Sequence, residues 1–336
     1  MPKKSSPKQS KEPQSQFLLA FEGKNTQVPV WFMRQAGRYL PQYQSLKANR
    51  RLSDLFRDPE IAGAITLQPL EILGVDAAIL FADIMTMPSG MGFQIDFVDG
   101  KGPVIQNPIR YGGELNRLGK YSGLEHVTRT IQLINAVLPP TVPLIGFAGS
   151  PYTVLTYLCH KHQRMMFGEP KAFHQFMGLL TDNTIAYLKQ QKDAGIKAFQ
   201  LFDTWAGSLR RQDYEEFVLP YVQKIFKSVK LPSIYFLKNC AHLMDLMDKS
   251  GAQMLSVCET VDIADIKTKN GIQGNLLNSL LYADDKTLIE ETRAVLKKAK
   301  AHHKKFVFNL NHGVMPDVNP MKLKLIVDEV HQFKWK

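Results

Sequence analysis

The sequence predicts an α/β fold: a single (β/α)8 TIM-type barrel with its active site at the C-terminal ends of the strands. Three observations lead to this prediction. Eight short apolar runs recur along the 336 residues, longer helix-like stretches separate them, and no Pro/Gly/Ser-rich linker divides the middle of the chain. Strands that alternate with helices indicate a parallel sheet, and eight such units favour closure into a barrel.

The candidate strands are spread along the whole chain. The runs are PVWFM, AAILF, PLIGFAG, AFQLF, PSIYFL, AQMLSV, GIQGNL and KFVFNLN, and they end at Met33, Phe81, Gly149, Phe202, Leu237, Val257, Leu276 and Asn311. The helix-like stretches between them include residues 58–73, 171–194, 213–227 and 286–302. We expect one barrel domain over residues 17–336. A flexible basic tail over residues 1–16 is expected to precede it, because its Ser, Pro, Lys and Gln residues bury little apolar surface.

The composition excludes several classes of protein. Hydrophobic residues make up 44% and charged residues 22% of the chain, as in a soluble globular protein. No apolar run is long enough to span a membrane, and the N-terminus lacks the apolar segment of a secretory signal. The three cysteines, Cys159, Cys240 and Cys258, are too few and too irregularly spaced for a disulfide framework. We therefore expect a cytoplasmic protein without membrane contact.

The formal charge of +11 raises the question of nucleic acid. Much of this charge lies in the tail and in residues 47–51 and 297–305, which are typical of solvated surfaces, so nucleic acid is not expected as a partner. A polyanionic small molecule would need the same sign of charge if basic residues converged on one pocket.

Polar side chains follow several of the predicted strands. At the C-terminal end of a barrel such residues surround the active site, and here they form a set suited to an anion: Arg34, Arg38, Asp83, Tyr157, Thr204 and His312. Each also has an ordinary structural explanation. The arginines could lie on a surface helix, Asp83 and Thr204 could cap helices, Tyr157 could belong to the core, and His312 could belong to a turn.

The segment PVWFMRQAGRYLPQY, residues 29–43, resembles the signature of the uroporphyrinogen decarboxylases. Its RQAGR motif spaces two guanidinium forks four residues apart, and each fork can bind a carboxylate through two hydrogen bonds. The stretches DAAILFADIM, VPLIGFAGSPYTVLTY, AGIKAFQLFDTWAG and NLNHGVMPDVNP resemble further strand motifs of that family, in the same order. The resemblance covers about residues 17–335.

This resemblance implies a carboxy-lyase of haem biosynthesis. Such an enzyme removes the four acetate carboxyl groups of uroporphyrinogen III, giving coproporphyrinogen III and four CO2. It implies no cofactor and no metal, because the electron-rich pyrrole accepts the electron pair that CO2 leaves behind. It also implies a homodimer.

The resemblance assigns roles to residues that match its motifs. It implies that Asp83 and Arg34 are catalytic: Asp83 stabilises the pyrrolic cation, and Arg34, or a water that it holds, delivers a proton. The implied substrate-binding residues are Arg34, Gln35, Ala36, Gly37, Arg38, Asp83, Tyr157, Thr204 and His312.

The sequence also departs from the family pattern and leaves two alternatives open. Cys258 and Glu259 stand where the family has an acidic-aromatic pair, GNLLN replaces GNLDP at residues 274–278, and the segment after Tyr157 is shorter. One alternative is a zinc-dependent corrinoid or thiol methyltransferase of the same barrel superfamily, with Cys240, His242 and Cys258 as ligands. The other is a catalytically inactive tetrapyrrole-binding protein.

Overall fold

A curled parallel sheet forms the centre of the fold. The computed structural model describes residues 14–98 and 102–336, so residues 1–13 of the expected tail lie outside the described part. Seven strands are parallel in the order β1-β4-β5-β6-β7-β8-β9, while β2 and β3 form a separate antiparallel hairpin. The strand bounds are β1 Ala78–Ile79, β2 Ile95–Val98, β3 Gly102–Ile105, β4 Leu144–Gly149, β5 Ala198–Asp203, β6 Ser233–Leu237, β7 Met254–Ser256, β8 Gly271–Leu276 and β9 Phe306–Leu310.

Helices connect the strands, as the sequence pattern predicts, and the α/β barrel class is confirmed. The helices are α1 Gln16–Ala20, α2 Pro41–Lys47, α3 Leu52–Arg57, α4 Pro59–Leu73, α5 Thr86–Ser89, α6 Glu125–Asn135, α7 Pro151–Leu158, α8 His162–Gly168, α9 Pro170–Ala194, α10 Arg211–Phe217, α11 Leu219–Ser228, α12 Met244–Asp248, α13 Asp285–His302 and α14 Pro320–Gln332. Within the described residues, none of these helices combines the length and apolar character needed to cross a membrane.

The first predicted strand is reduced to a single bridge. Val30 pairs in parallel with Phe308 of β9, and its carbonyl accepts the backbone N–H of Asp76 at 2.8 Å, just before β1. The N–H of Val30, however, donates to the Asp76 carboxylate at 2.7 Å. Because this side chain replaces a backbone acceptor and Pro29 has no N–H, no regular ladder forms. The eighth position of the barrel is therefore occupied by a short segment rather than by a strand.

Local sequence signals explain where two of the helices begin and end. Asp58 caps α4 by accepting the N–H of Ile61 at 3.0 Å, and Gly74 ends it with a φ of 74°. The helix predicted over residues 213–227 is instead two helices, α10 and α11, with a break at Val218. Pro220, in the first turn of α11, cannot donate the backbone hydrogen bond that a continuous helix needs.

A buried polar layer lies inside the barrel. The indole N–H of Trp31 donates to Gln273 at 3.0 Å, and the Gln273 amide donates to Gln200 at 2.9 Å and to Ser256 at 3.0 Å. These contacts join the Val30 segment to β5, β7 and β8. They fix Trp31, and with it the start of the loop that carries the RQAGR motif.

Candidate active site

Two adjoining cavities lie at the C-terminal ends of the strands. The inner cavity has a volume of about 210 Å3, and its lining includes Arg34, Asp83, Tyr157, Thr204 and His312. The outer cavity, of about 410 Å3, is lined partly by Ala36, Gly37 and Arg38. Both include Arg34, Ala82, Asp83, Pro103 and Phe147 in their walls. Eight of the nine residues predicted to bind substrate therefore lie along one continuous cleft.

Gln35 is the exception, because its side chain is directed into the core. Its Oε1 accepts the N–H of Phe32 at 3.0 Å, and its Nε2 donates to the Ala77 carbonyl at 3.0 Å. Its carbonyl accepts the Tyr39 hydroxyl at 2.6 Å. With both ends of the side chain engaged, Gln35 anchors the loop to the start of β1. The Gln35 side chain therefore does not face the cleft, and the expectation that Gln35 binds substrate stays a prediction.

The anchored loop places residues with unpaired donors along the cleft. Arg34 has a φ of 61°, and its side chain crosses Gly313, where an added Cβ would lie 2.4 Å from Arg34 Cδ. In the described part of the chain, the Arg34 and Arg38 guanidinium groups form no hydrogen bond or ion pair, and the N–H groups of Ala36, Gly37 and Arg38 donate to no protein acceptor. A concentration of unpaired donors with two positive charges is suited to carboxylates.

Asp83 lies in the wall that the two cavities share. Its Oδ1 accepts the N–H of Met85 at 2.8 Å, and its own N–H donates to the Thr86 hydroxyl at 3.1 Å. Burial raises the pKa of the Asp83 carboxyl, whereas the Met85 hydrogen bond and the positive Arg34 oppose this increase. Only one carboxylate oxygen is used in the turn, so the other remains for a ligand. Asp83 thus has both the local turn contact and an open position in the cleft.

His312 contacts the cleft from the segment after β9. Its ring packs at 5.9 Å from the ring of Phe236. Burial lowers the pKa of His312 to about 4, with further lowering by Arg34 and Lys238, while Glu259 acts in the opposite direction. The imidazole is therefore neutral near pH 7, and a neutral imidazole carries one ring N–H that can donate a hydrogen bond.

The low pKa of His312 predicts a loss of stability in acid. Between pH 6.5 and about 4 the unfolded chain binds a proton at this residue and the folded chain does not, so the free energy of unfolding falls as the pH falls. His312→Gln should remove this contribution, up to about 3 kcal/mol between pH 7.5 and pH 4. Urea unfolding of both proteins at several pH values measures it. An equal acid dependence in the two proteins would contradict the assignment.

Tyr157 and Thr204 also line the inner cavity. Tyr157 is in the second turn of α7, partly buried, with its ring 6.3 Å from that of the exposed Trp205. Thr204 directly follows β5, and the short helical turn after it, Ala206–Ser208, has Trp205 at its N-cap position without a side-chain hydrogen bond. Tyr157 is only partly buried but does pack against the hydrophobic core, whereas Thr204 is not a helix cap.

A buried carboxylate that the sequence analysis missed supports this part of the cavity wall. Asp203 accepts hydroxyl hydrogen bonds from Ser150 at 2.8 Å, Thr153 at 2.7 Å and Tyr235 at 2.8 Å. Burial raises the pKa of its carboxyl, and these hydrogen bonds lower it. The network joins β5, α7 and β6 directly below Thr204. The sequence does carry a signal for this network, namely an acidic residue at the end of the apolar run AFQLFD. An unpaired buried charge is costly, so an acidic residue in a buried strand predicts hydrogen-bond partners.

Aromatic side chains at the ends of three neighbouring strands form an apolar part of the inner cavity wall. The ring of Phe202 lies 5.5 Å from that of Phe147 and 5.6 Å from that of Phe236. Pro103, in the β2–β3 hairpin, lines both cavities, so the hairpin contributes to the cover of the cleft. Charged groups in such surroundings interact more strongly than they would in water.

The residues considered as zinc ligands do not converge on one point. The sulfur atoms of Cys240 and Cys258 are 3.3 Å apart, but His242 Nε2 is bonded to the Leu209 carbonyl at 2.9 Å. Over residues 14–98 and 102–336, no group of three His, Cys, Asp or Glu residues is placed to hold a metal ion. Two thiols without a third ligand do not make the tetrahedral set that a zinc site requires.

Comparison with known proteins agrees with the motif resemblance. The family model described as uroporphyrinogen decarboxylase (URO-D) matches residues 12–333. The chain belongs to the uroporphyrinogen decarboxylase family. A protein of Thermodesulfovibrio yellowstonii with that name is 42% identical over 336 residues, covering 95% of this chain and 98% of the relative. One from Bacillus pumilus is 39% identical over 342 residues, covering 95% and 96%.

A solved structure supports the fold assignment independently. A methyltransferase from Methanosarcina mazei superimposes with a TM-score of 0.81 at 20% identity, covering 94% of this chain and 97% of that protein. At this identity the likeness concerns the fold alone. The barrel is thus shared by this member of the uroporphyrinogen decarboxylase family and a protein of another name.

Proposed function

We propose that this protein is a carboxy-lyase that converts uroporphyrinogen III into coproporphyrinogen III, releasing four CO2. One observation carries the proposal. The guanidinium groups of Arg34 and Arg38 are unpaired in the described structure and line a cleft whose shared wall contains Asp83. A ligand with several carboxylates around an electron-rich ring would use all three residues. The close relatives that carry the decarboxylase name support the same reading.

The shape of the cleft suggests how the substrate would bind. Its aromatic inner cavity suits the pyrrole rings, and its outer cavity, with Arg38 and the free N–H groups of Ala36 and Gly37, suits peripheral carboxylates. Arg34 lines both cavities and would bind the carboxylate nearest the reacting ring. Tyr157, Thr204 and neutral His312 would orient other carboxylates through hydrogen bonds.

Decarboxylation would then use the substrate's own pyrrole ring as the electron acceptor. A proton adds to the pyrrole α-carbon next to the carbon that bears the acetate, giving a cationic iminium that is conjugated with the acetate-bearing carbon. The bond to the carboxylate breaks, CO2 leaves, and its electron pair neutralises the iminium as an exocyclic double bond. A second proton adds to the exocyclic carbon, and the first leaves the ring, so one acetate and one proton become one methyl group and CO2.

Asp83 and Arg34 would have complementary roles in this sequence. The free carboxylate oxygen of Asp83 would accept pyrrole N–H bonds and stabilise the cation as it forms, in surroundings where burial strengthens the interaction. Arg34 would hold the departing carboxylate and a water molecule that supplies the proton, because a guanidinium is itself a weak acid.

Catalysis should need no metal and no added cofactor, because the protonated pyrrole is the electron sink. Protein dialysed against EDTA and incubated anaerobically with uroporphyrinogen III should form coproporphyrinogen III at the rate of untreated protein. Chromatography of the oxidised porphyrins measures both rates. Activity that is lost with EDTA and restored by zinc would contradict this and favour a metal-dependent reaction.

Assembly and location are part of the proposal. The family resemblance supports a homodimer, and the exposed Trp205 beside the cleft offers apolar surface for such a contact. The three cysteines are all free thiols, which supports a cytoplasmic location. Sedimentation equilibrium of the purified protein should give twice the monomer mass, and a monomer at micromolar concentration would contradict the dimer.

A further inference from the structure

Two cysteines that the decarboxylation does not use meet at the C-terminal end of the barrel. Cys240 follows β6 and Cys258 follows β7, so neighbouring parallel strands bring both to the C-terminal end of the barrel. Their side chains are 0% and 1% exposed, and the two sulfur atoms are 3.3 Å apart. Cys159, the third cysteine, lies elsewhere, at the end of α7. The contact therefore involves Cys240 and Cys258 and not Cys159.

The hydrogen bonds around the pair favour one thiolate. The backbone N–H of Cys240 donates to Cys258 Sγ at 3.2 Å, and the N–H of Cys258 donates to Cys240 Sγ at 3.3 Å. The Thr260 hydroxyl lies 3.1 Å from Cys258 Sγ. Hydrogen bonds from Cys240 and Thr260 lower the pKa of Cys258 to about 5, and the same contact raises the pKa of Cys240. This combination of a nucleophilic and a resolving thiol is typical of redox-active pairs.

We propose that Cys240 and Cys258 are a redox site that closes reversibly into an intramolecular disulfide, with a hydroperoxide as the oxidant. The Cys258 thiolate attacks one peroxide oxygen and the O–O bond breaks. With one proton taken up, this gives a sulfenic acid and, from hydrogen peroxide, one water. The Cys240 thiol then attacks the Cys258 sulfur, the S–O bond breaks, and a second water leaves. Two electrons pass from the sulfurs to the peroxide, and a dithiol donor reverses the change.

The reaction requires only a small change in structure. The sulfur atoms must approach by about 1.3 Å from their 3.3 Å separation to reach disulfide bonding distance. Lys238, Asn239, Glu259 and Thr260 are exposed on either side of the pair, so one short loop movement admits a molecule as small as hydrogen peroxide. Neither cysteine lies within a helix or strand that would resist the shift.

Closure would connect two segments that flank His312. Lys238 lowers the pKa of that imidazole and Glu259 raises it. Glu259 also accepts a hydrogen bond from Asn311 at 2.8 Å. A covalent link between Cys240 and Cys258 would therefore hold together the two segments that carry these charged groups. The proposal concerns the thiols themselves and stands independently of the substrate assigned to the cleft.

The test counts free thiols in the folded, full-length protein. Reduced protein is treated with a few equivalents of hydrogen peroxide at pH 7, unfolded in the presence of N-ethylmaleimide and weighed by mass spectrometry. We expect two of the three thiols to escape alkylation, a Cys240–Cys258 cross-linked peptide after digestion, and three alkylated thiols again after dithiothreitol. Three alkylated thiols in the peroxide-treated sample, or a cross-link that includes Cys159, would overturn the proposal.

Three variants separate the roles of the cysteines. Cys159→Ser should form the cross-link as the unaltered protein does. Cys240→Ser should form none but should accumulate a sulfenic acid on Cys258 that dimedone traps. Cys258→Ser should form neither product. Circular dichroism before oxidation shows whether each variant is folded, and in the folded variants a sulfenic acid on Cys240 in place of Cys258 would contradict the assigned order of attack.

Discussion

Asp83→Asn is expected to slow the chemical step by about 10²–10³-fold, the usual effect of removing one preorganised electrostatic contact. The amide keeps the size of the side chain, and its oxygen can still accept the N–H of Met85 that now holds Oδ1 at 2.8 Å. The turn before α5 should therefore remain intact. What is lost is the negative charge in the wall shared by the two cavities. Single-turnover rates at saturating substrate measure the loss directly.

Asp83→Glu is the matched control for charge. It keeps the carboxylate with imperfect placement, so its rate should lie between those of the unaltered protein and Asp83→Asn. Thermal unfolding of all three proteins tests the structural explanation, in which Asp83 only caps a turn. Asn caps about as well as Asp, so that explanation predicts nearly normal activity for Asp83→Asn. A fully active, normally stable Asn variant would remove the catalytic role.

Arg34→Ala and Arg38→Ala are each expected to weaken substrate binding by about 1.5–3 kcal/mol, the contribution of a charge-assisted hydrogen bond. This corresponds to about a 10- to 150-fold increase in KM. Arg34 lines both cavities and Arg38 only the outer one, so Arg34→Ala should also lower kcat, whereas Arg38→Ala should act mainly on KM. Neither guanidinium has a protein partner in the described structure, so folding should be little affected.

Lysine at the same positions tests the geometry of the contact. Lys keeps the charge but not the planar fork, so Arg34→Lys and Arg38→Lys should recover only part of the lost binding. Steady-state kinetics of the four variants measures the change in KM, and their melting curves show whether a change in KM comes from a loss of folding. An unchanged KM in both alanine variants would mean that the arginines do not bind carboxylates of the substrate.

The polar ends of the strands could be predicted because their positions follow from the alternation of strands and helices. Asp83, Thr204 and His312 each come directly after an apolar run, and a parallel barrel brings such positions to one end. The direction of a side chain within a loop could not be predicted in this way. Gln35 turns into the core because Ala77, 42 residues further along, offers it an acceptor, and no local pattern records that contact.

Long-range partners also explain the other differences. The first strand is interrupted because the Asp76 side chain takes the N–H of Val30 at 2.7 Å, which the apolar run PVWFM does not reveal. The Asp203 network and the Cys240–Cys258 contact join residues on neighbouring strands, and their chemistry exists only after folding. The Pro220 break, in contrast, was readable from the sequence, since proline at that position stops a continuous helix.

The central claim is that this cleft removes all four acetate carboxyl groups of its substrate. Its most direct test is the amount of CO2 released per uroporphyrinogen III consumed by metal-free protein under anaerobic conditions, followed to completion. The account predicts four CO2 and one coproporphyrinogen III per substrate, and a much slower release of CO2 by Asp83→Asn in the same assay. Binding of uroporphyrinogen without release of CO2 would contradict it, and would leave a tetrapyrrole-binding protein without decarboxylase activity.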